Sequence, residues 1–132
     1  MIFSPTIHVH ITREHFVFQY EGQELHLEAC IHYLLEGNEV TPVAIGDRVE
    51  IPNAHFADLF KPKEPYTDHF YLLELLLEYG FGRMLGKRLL PSKPDVIFHG
   101  VEQLYEILSG YQFGIFEKAA LQAGVRSVKF EQ

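Results

Sequence analysis

The stretch from Asp68 to Leu85, "DHFYLLELLLEYGFGRML", constrains the fold more than any other part of the chain. Thr67 or Asp68 supplies an N-cap, and the residues that follow read as one long helix. Glu74 and Glu78, at i and i+4, mark one narrow polar strip. Nearly all of the remaining circumference is apolar, and a helix of that kind has to be covered on more than one side. Tyr71, Leu75 and Tyr79 form an i, i+4, i+8 row beside the acidic strip. Gly80, Gly82 and Gly86 weaken the final turns.

The first 45 residues read instead with a period of two. Ile7, Val9 and Ile11 alternate with His8, His10 and Thr12, and Phe16, Phe18 and Tyr20 alternate with Val17 and Gln19. After a turn at Glu21-Gly22-Gln23, the residues Leu25, Leu27, Ala29, Ile31 and Tyr33 continue the pattern as one strand. Glu36-Gly37-Asn38 is a second turn, and "TPVAIGD" a short fourth strand, so this half reads as an antiparallel meander. The segment from Asp47 to Thr67 carries Pro52, Pro62 and Pro65 and is looser; "NAHFADLF" within it predicts one or two helical turns capped by Asn53.

Beyond the long helix, "KPDVIFHG" reads as a buried strand, because Val96, Ile97 and Phe98 form a continuous apolar run. "GVEQLYEIL" is a short amphipathic helix, broken at Ser109-Gly110. Phe113 to Ala123 is another helix, stopped by Gly124, and "RSVKFEQ" is a final strand. Strand, helix, strand in that order implies a parallel crossover. The expectation is a single α/β domain over residues 1–132, with a mixed five-stranded sheet and helices packed on it.

At 132 residues the chain can bury a core without disulfides or metal. Its net charge of −7 disfavours nucleic acid and anionic membrane as partners. Cys30 is the only cysteine, so no internal disulfide forms. The N-terminus has no basic region followed by an apolar one, and no apolar stretch is long enough to span a bilayer, so the expected location is cytoplasmic.

Three segments carry a family resemblance. "VTPVAIGDRV" resembles the "VVAVGEEA" segment of the bacterial actin MreB, which organises wall growth in rod-shaped cells. "ALQAGVRSVKFEQ" is similar to its "ALSAGAREVYLIEEP" segment, and "PDVIFHG" to the strand before it. The resemblance implies a ribonuclease H-like, actin-like half-domain, matching the N-terminal subdomain IA of MreB in element order. It also sets "IHVHIT" where actin-like ATPases carry a strand ending in "DLGT". In that family the aspartate acts through magnesium beside the nucleotide phosphates, and the glycine lets backbone N–H groups approach them. His10 and Thr12 stand at those two places. The resemblance therefore implies a fold whose nucleotide site has been lost, with no nucleotide or other cofactor expected.

The remaining chemistry lies in the histidines. His8 and His10 share one face of a strand, and His26, Cys30 and His32 share a parity further on. Convergence of His8, His10 and His32 would make a zinc site and a small metal-dependent hydrolase. The simpler reading is a polar sheet face, because alternating strands produce such sets automatically and no ligand spacing supports a site. Cys30 reads as a small packed hydrophobe, and Asp95 and Asp47 as strand-entry and turn residues. The favoured function is a non-catalytic interaction or assembly module, which the resemblance relates to cell shape or the cytoskeleton. It pairs through Tyr71, Leu75 and Tyr79 with a second copy or another protein.

Overall fold

The structure, a computed structural model, describes residues 4–60, 66–86 and 93–131, and of residues 66–69 the backbone alone. Its larger sheet has the strand order β3-β2-β1-β7-β8. The strands are β1 (Thr6–Ile11), β2 (His15–Tyr20), β3 (Gln23–Glu28), β7 (Asp95–His99) and β8 (Ser127–Glu131). The first three pair antiparallel, while β7 is parallel to both β1 and β8. This is the mixed five-stranded sheet that the sequence predicts. The β2–β3 connection is a two-residue turn with positive φ at both Glu21 and Gly22, the backbone twist a tight hairpin requires.

The meander does not stay in one sheet. The alternation from Leu25 to Tyr33, read as one strand, splits at Ala29 into β3 and β4 (Cys30–Glu36). With β5 (Glu39–Ile45) and β6 (His55–Asp58), β4 builds a separate sheet of order β5-β4-β6. The split follows from burial on both sides of the chain, since Ala29, Cys30, Ile31 and His32 are all buried in succession. Backbone bonds fasten the crossing point. Ala29 N–H donates to the Glu14 carbonyl, and Leu59 N–H donates to that of Ala29.

Strand β6 is a second correction, because "NAHFADLF" is not helical. Asn53 lies in a turn at φ 66, and His55 to Asp58 pair antiparallel with β4. The open edge of β4 offers backbone partners, and Ala57 gains burial opposite Ile31. Long-range pairing thus overrides a weak local preference.

The long helix α1 runs from Tyr66 to Leu85, so it begins before Asp68, and Thr67 and Asp68, expected as caps, lie within its first turn, with side chains outside those described. It packs against β2, β3, β5 and α3 (Gln112–Gln122), burying Leu72, Leu73, Leu76, Leu77, Phe81 and Met84. A 3₁₀ turn (Val101–Leu104) runs into α2 (Tyr105–Leu108), and with α3 these complete the crossover between β7 and β8. Ile7, Val9, Ile11, Phe16, Phe18 and Phe98 share the apolar face of the large sheet. Phe116 of α3 is the aromatic centre of the core, 5.3 Å from Phe98, 6.0 Å from Phe60 and 6.3 Å from Phe16. Asp95 joins the starts of β7 and β8. It accepts bonds of 2.9 and 2.8 Å from Arg126 and one of 2.6 Å from Ser127, which hold its carboxyl below the usual range.

Gly80 lies where α1 meets this sheet, and a Cβ there would stand 2.2 Å from the fully buried ring of Phe18. Alanine improves helix propensity by about 1 kcal/mol. Overpacking a core that cannot yield costs about 1–3 kcal/mol, and the overpacking dominates. Gly80→Ala should therefore lower stability by up to about 2 kcal/mol in urea denaturation, whereas Gly82→Ala, with open space around it, should raise it.

Candidate functional site

The face of the large sheet opposite the core is polar, and the pairing register arranges its side chains in rows across all five strands. One row runs His26, Val17, His10, His99, Glu131, from β3 to β8. The next runs Glu24, Gln19, His8, Ile97, Lys129. His10, Glu24, His26, Lys129 and Glu131 are exposed, while Val17, Gln19, His8, Ile97 and His99 are half-buried by their neighbours.

A hydrogen-bonded chain links the rows. His26 Nε2 lies 3.2 Å from Glu24, and the Gln19 amide donates to the same carboxylate at 2.8 Å. Gln19 Oε1 is then left as an acceptor for His10 Nε2–H at 2.9 Å. The bonds from Gln19 and His26 hold the Glu24 carboxyl below its usual range. His10 stacks on His99 with ring centroids 4.3 Å apart and planes within 11°. His8 Nδ1 meets His99 Nε2 at 2.9 Å, and Glu131 lies 3.7 Å from His99 Nδ1. The carboxylate favours the proton on Nδ1, which leaves His99 Nε2 to accept from His8 Nδ1–H.

His8 and His10 do sit together, but their third member is His99 and not His32. His32 belongs to the smaller sheet, where it is buried beside the Phe56 ring with its Nδ1 unpartnered. Two sheets cannot bring His32 to the face of β1, so the trio His8, His10 and His32 does not form. Nor do the rings of His8, His10 and His99 converge: His10 turns its Nε2 to Gln19 while the other two bond each other. Among the described residues no group of three His, Cys, Asp or Glu side chains could hold a metal ion. His99 could not be assigned to this face from sequence, because its run Val96-Ile97-Phe98 shows no alternation. The only available hint was the parity of His99 relative to the buried Phe98.

Cys30 is fully buried, and burial pushes its thiol up to about 11, which makes it inert as a nucleophile at neutral pH. The carboxyl ends of the parallel strands are where α/β sheets commonly bind ligands. After β1, Thr12 Oγ1 accepts from the N–H groups of His15 (3.0 Å) and Glu14 (3.3 Å). Arg13 is paired with Glu106 at 3.0 Å. After β7, Gly100 adopts φ 91, and a Cβ there would meet the Ile11 carbonyl at 2.4 Å, so the glycine serves close packing within the chain.

No family model matches the sequence, and no curated protein is significantly similar to it. Solved structures do match the fold. A non-polymerising mutant of MamK bound to AMPPNP superposes with a TM-score of 0.70 at 11% identity, covering 98% of this chain and 42% of that one. MreB5 of Spiroplasma citri bound to ADP gives 0.67 at 14% identity, covering 98% of this chain and 38% of that one. The same protein bound to AMPPNP gives 0.66, with the same identity and coverage. The chain has the fold of an actin-like half-domain and spans about two-fifths of these neighbours. Among the described residues, no helix is long and apolar enough to cross a membrane.

Burial, followed by the neighbouring His10 and His8, holds the His99 imidazole below its ordinary value, against the opposing pull of Glu131 and Glu102. As pH falls through about 6.5 the unfolded chain therefore takes up the proton first. The stability that neutral His99 contributes is present above that pH and is lost below it. Urea midpoints measured from about pH 7.5 down to about pH 5.5 should fall, and His99→Gln should make the decline shallower.

Proposed function

We propose that this chain is a non-catalytic protein-interaction module built on an actin/MreB-like fold, working in the cytoplasm. One observation carries the reading: the turn after β1 uses its own amides. A phosphate at the end of a strand is held by free backbone N–H groups, and here those of Glu14 and His15 are bonded to the Thr12 hydroxyl. His10 and His99 stack across the neighbouring strand ends, and Glu14 and Glu102 add negative charge near the same end. These residues do not fit a nucleotide phosphate, although the structural neighbours bind ADP or AMPPNP. The charge of −7 further disfavours an anionic ligand. Calorimetric titration with ATP and magnesium should show no saturable heat, and binding in the micromolar range would overturn the non-catalytic reading.

The contact surface we assign is the edge of α1. Tyr71 is 44% exposed and borders a cleft with Tyr33, Leu35 and Val40 at the smaller sheet. Leu75 and Tyr79 are half-buried against the core on the same side, and Tyr79 accepts a 2.7 Å bond from Arg83. Tyrosine suits a partner contact because its ring buries area while its hydroxyl stays hydrated. A second copy related by two-fold symmetry is the simplest partner. Aspartate at Leu75 or Tyr79 would disturb the core as well as the edge, so Tyr71→Asp is the informative variant. It should leave the circular dichroism and urea midpoint unchanged and weaken association in sedimentation equilibrium. An unaltered association constant would remove the α1 edge from the contact.

A further inference from the structure

We propose that a second copy of this chain also docks sheet to sheet on the histidine face, with the two β1 strands facing each other across a two-fold axis. The proposal goes beyond the α1 contact and concerns the opposite side of the sheet. It stands on the order of charges along the two rows. One row begins with His26 on β3 and ends with Glu131 on β8; the other begins with Glu24 and ends with Lys129. Strand β1 is the middle strand of the five, so a two-fold axis parallel to it sets β3 of one copy over β8 of its partner. Glu24 then faces Lys129 of the other copy, and His26 faces its Glu131. The in-plane axis perpendicular to the strands pairs Glu24 with His26 and Lys129 with Glu131. Both arrangements set a carboxylate against Lys129, with His26 against the other carboxylate as a hydrogen-bond partner, and within these two rows neither sets two carboxylates together.

The shape of the face agrees with this. Five strands about 4.8 Å apart and about 17–20 Å long make a face of about 400 Å² per copy, below the area of stable specific interfaces, so the dimer is weak and concentration-dependent. Val17 and Ile97, half-buried in otherwise polar rows, are the apolar area that docking would cover.

Lys129 is the only lysine or arginine in the two rows, so the test reverses it. All proteins are made on the Tyr71→Asp background, so that the α1 edge does not contribute, and their folding is checked by circular dichroism. Sedimentation equilibrium at high micromolar concentration should show a dimer for the Tyr71→Asp protein. Adding Lys129→Glu should raise its dissociation constant about tenfold or more, through like-charge opposition. Adding Glu24→Lys as well should restore association if the axis is parallel to β1, and adding Glu131→Lys instead should restore it if the axis is perpendicular. A monomeric Tyr71→Asp protein, a folded Lys129→Glu variant that dimerises undiminished, or failure of both second reversals would overturn the proposal. Nucleotide binding is read in a separate experiment; a monomeric Tyr71→Asp protein would overturn this proposal while leaving the α1 contact standing, whereas a Tyr71→Asp protein that associates as tightly as the wild type would remove the α1 contact.

Discussion

Strand β1 is bonded on both sides, antiparallel to β2 and parallel to β7, and that double pairing fixes which side chains share a face. A slip of one residue would carry Ile7, Val9 and Ile11 to solvent and His8 and His10 into the core. The three aliphatic side chains are almost wholly buried, so the hydrophobic cost of such a slip holds the register. Because β7 is set against β1 in that register, Phe98 joins the aromatic cluster around Phe116 while His99 arrives beside His10. Core and polar face are two consequences of one alignment.

The polar face is a connected set and not a collection of separate histidines. Glu24 receives both Gln19 and His26, Gln19 passes its carbonyl to His10, and His8 bonds His99 beneath the His10 ring. Imidazole suits such a chain because each neutral ring carries one donor and one acceptor. The same property makes His99 the sensitive point, since a proton on its Nε2 would replace the acceptor that His8 uses with a donor. Buried His32 belongs to a different environment altogether, against Phe56 in the smaller sheet.

Likeness to MamK and MreB5 at 11% and 14% identity concerns the path of the chain, not its chemistry. The end of β1 illustrates the distinction. Its strand and turn occupy the place from which an α/β sheet commonly presents backbone amides to a ligand, but here Thr12 takes those amides and Gly100 closes on Ile11. The chemistry of this chain is therefore read from its own surfaces, and among the described residues the α1 edge and the histidine face carry a definite pattern.

Local periodicity in the sequence was sufficient for the long apolar helix, for the strands around Ile7–Ile11 and Phe16–Tyr20, and for the parallel strand–helix–strand at the end. In each of these, the residues that decide the element lie within a few positions of one another. The polar character of the face bearing His8 and His10 was legible for the same reason, as was the packed state of Cys30. Three features required the tertiary structure. The break at Ala29 depends on a second sheet burying the other side of the chain. Strand β6 depends on the open edge of β4, which overrides a segment that resembles a capped helical turn. His99 joins His8 from 91 residues away, through a strand whose uniform apolar run carries no sign of which face each residue takes. Sequence pattern records the preference of a residue for water or for the core, but neighbours across a sheet are chosen by backbone pairing, and that choice is made only when the chain closes on itself.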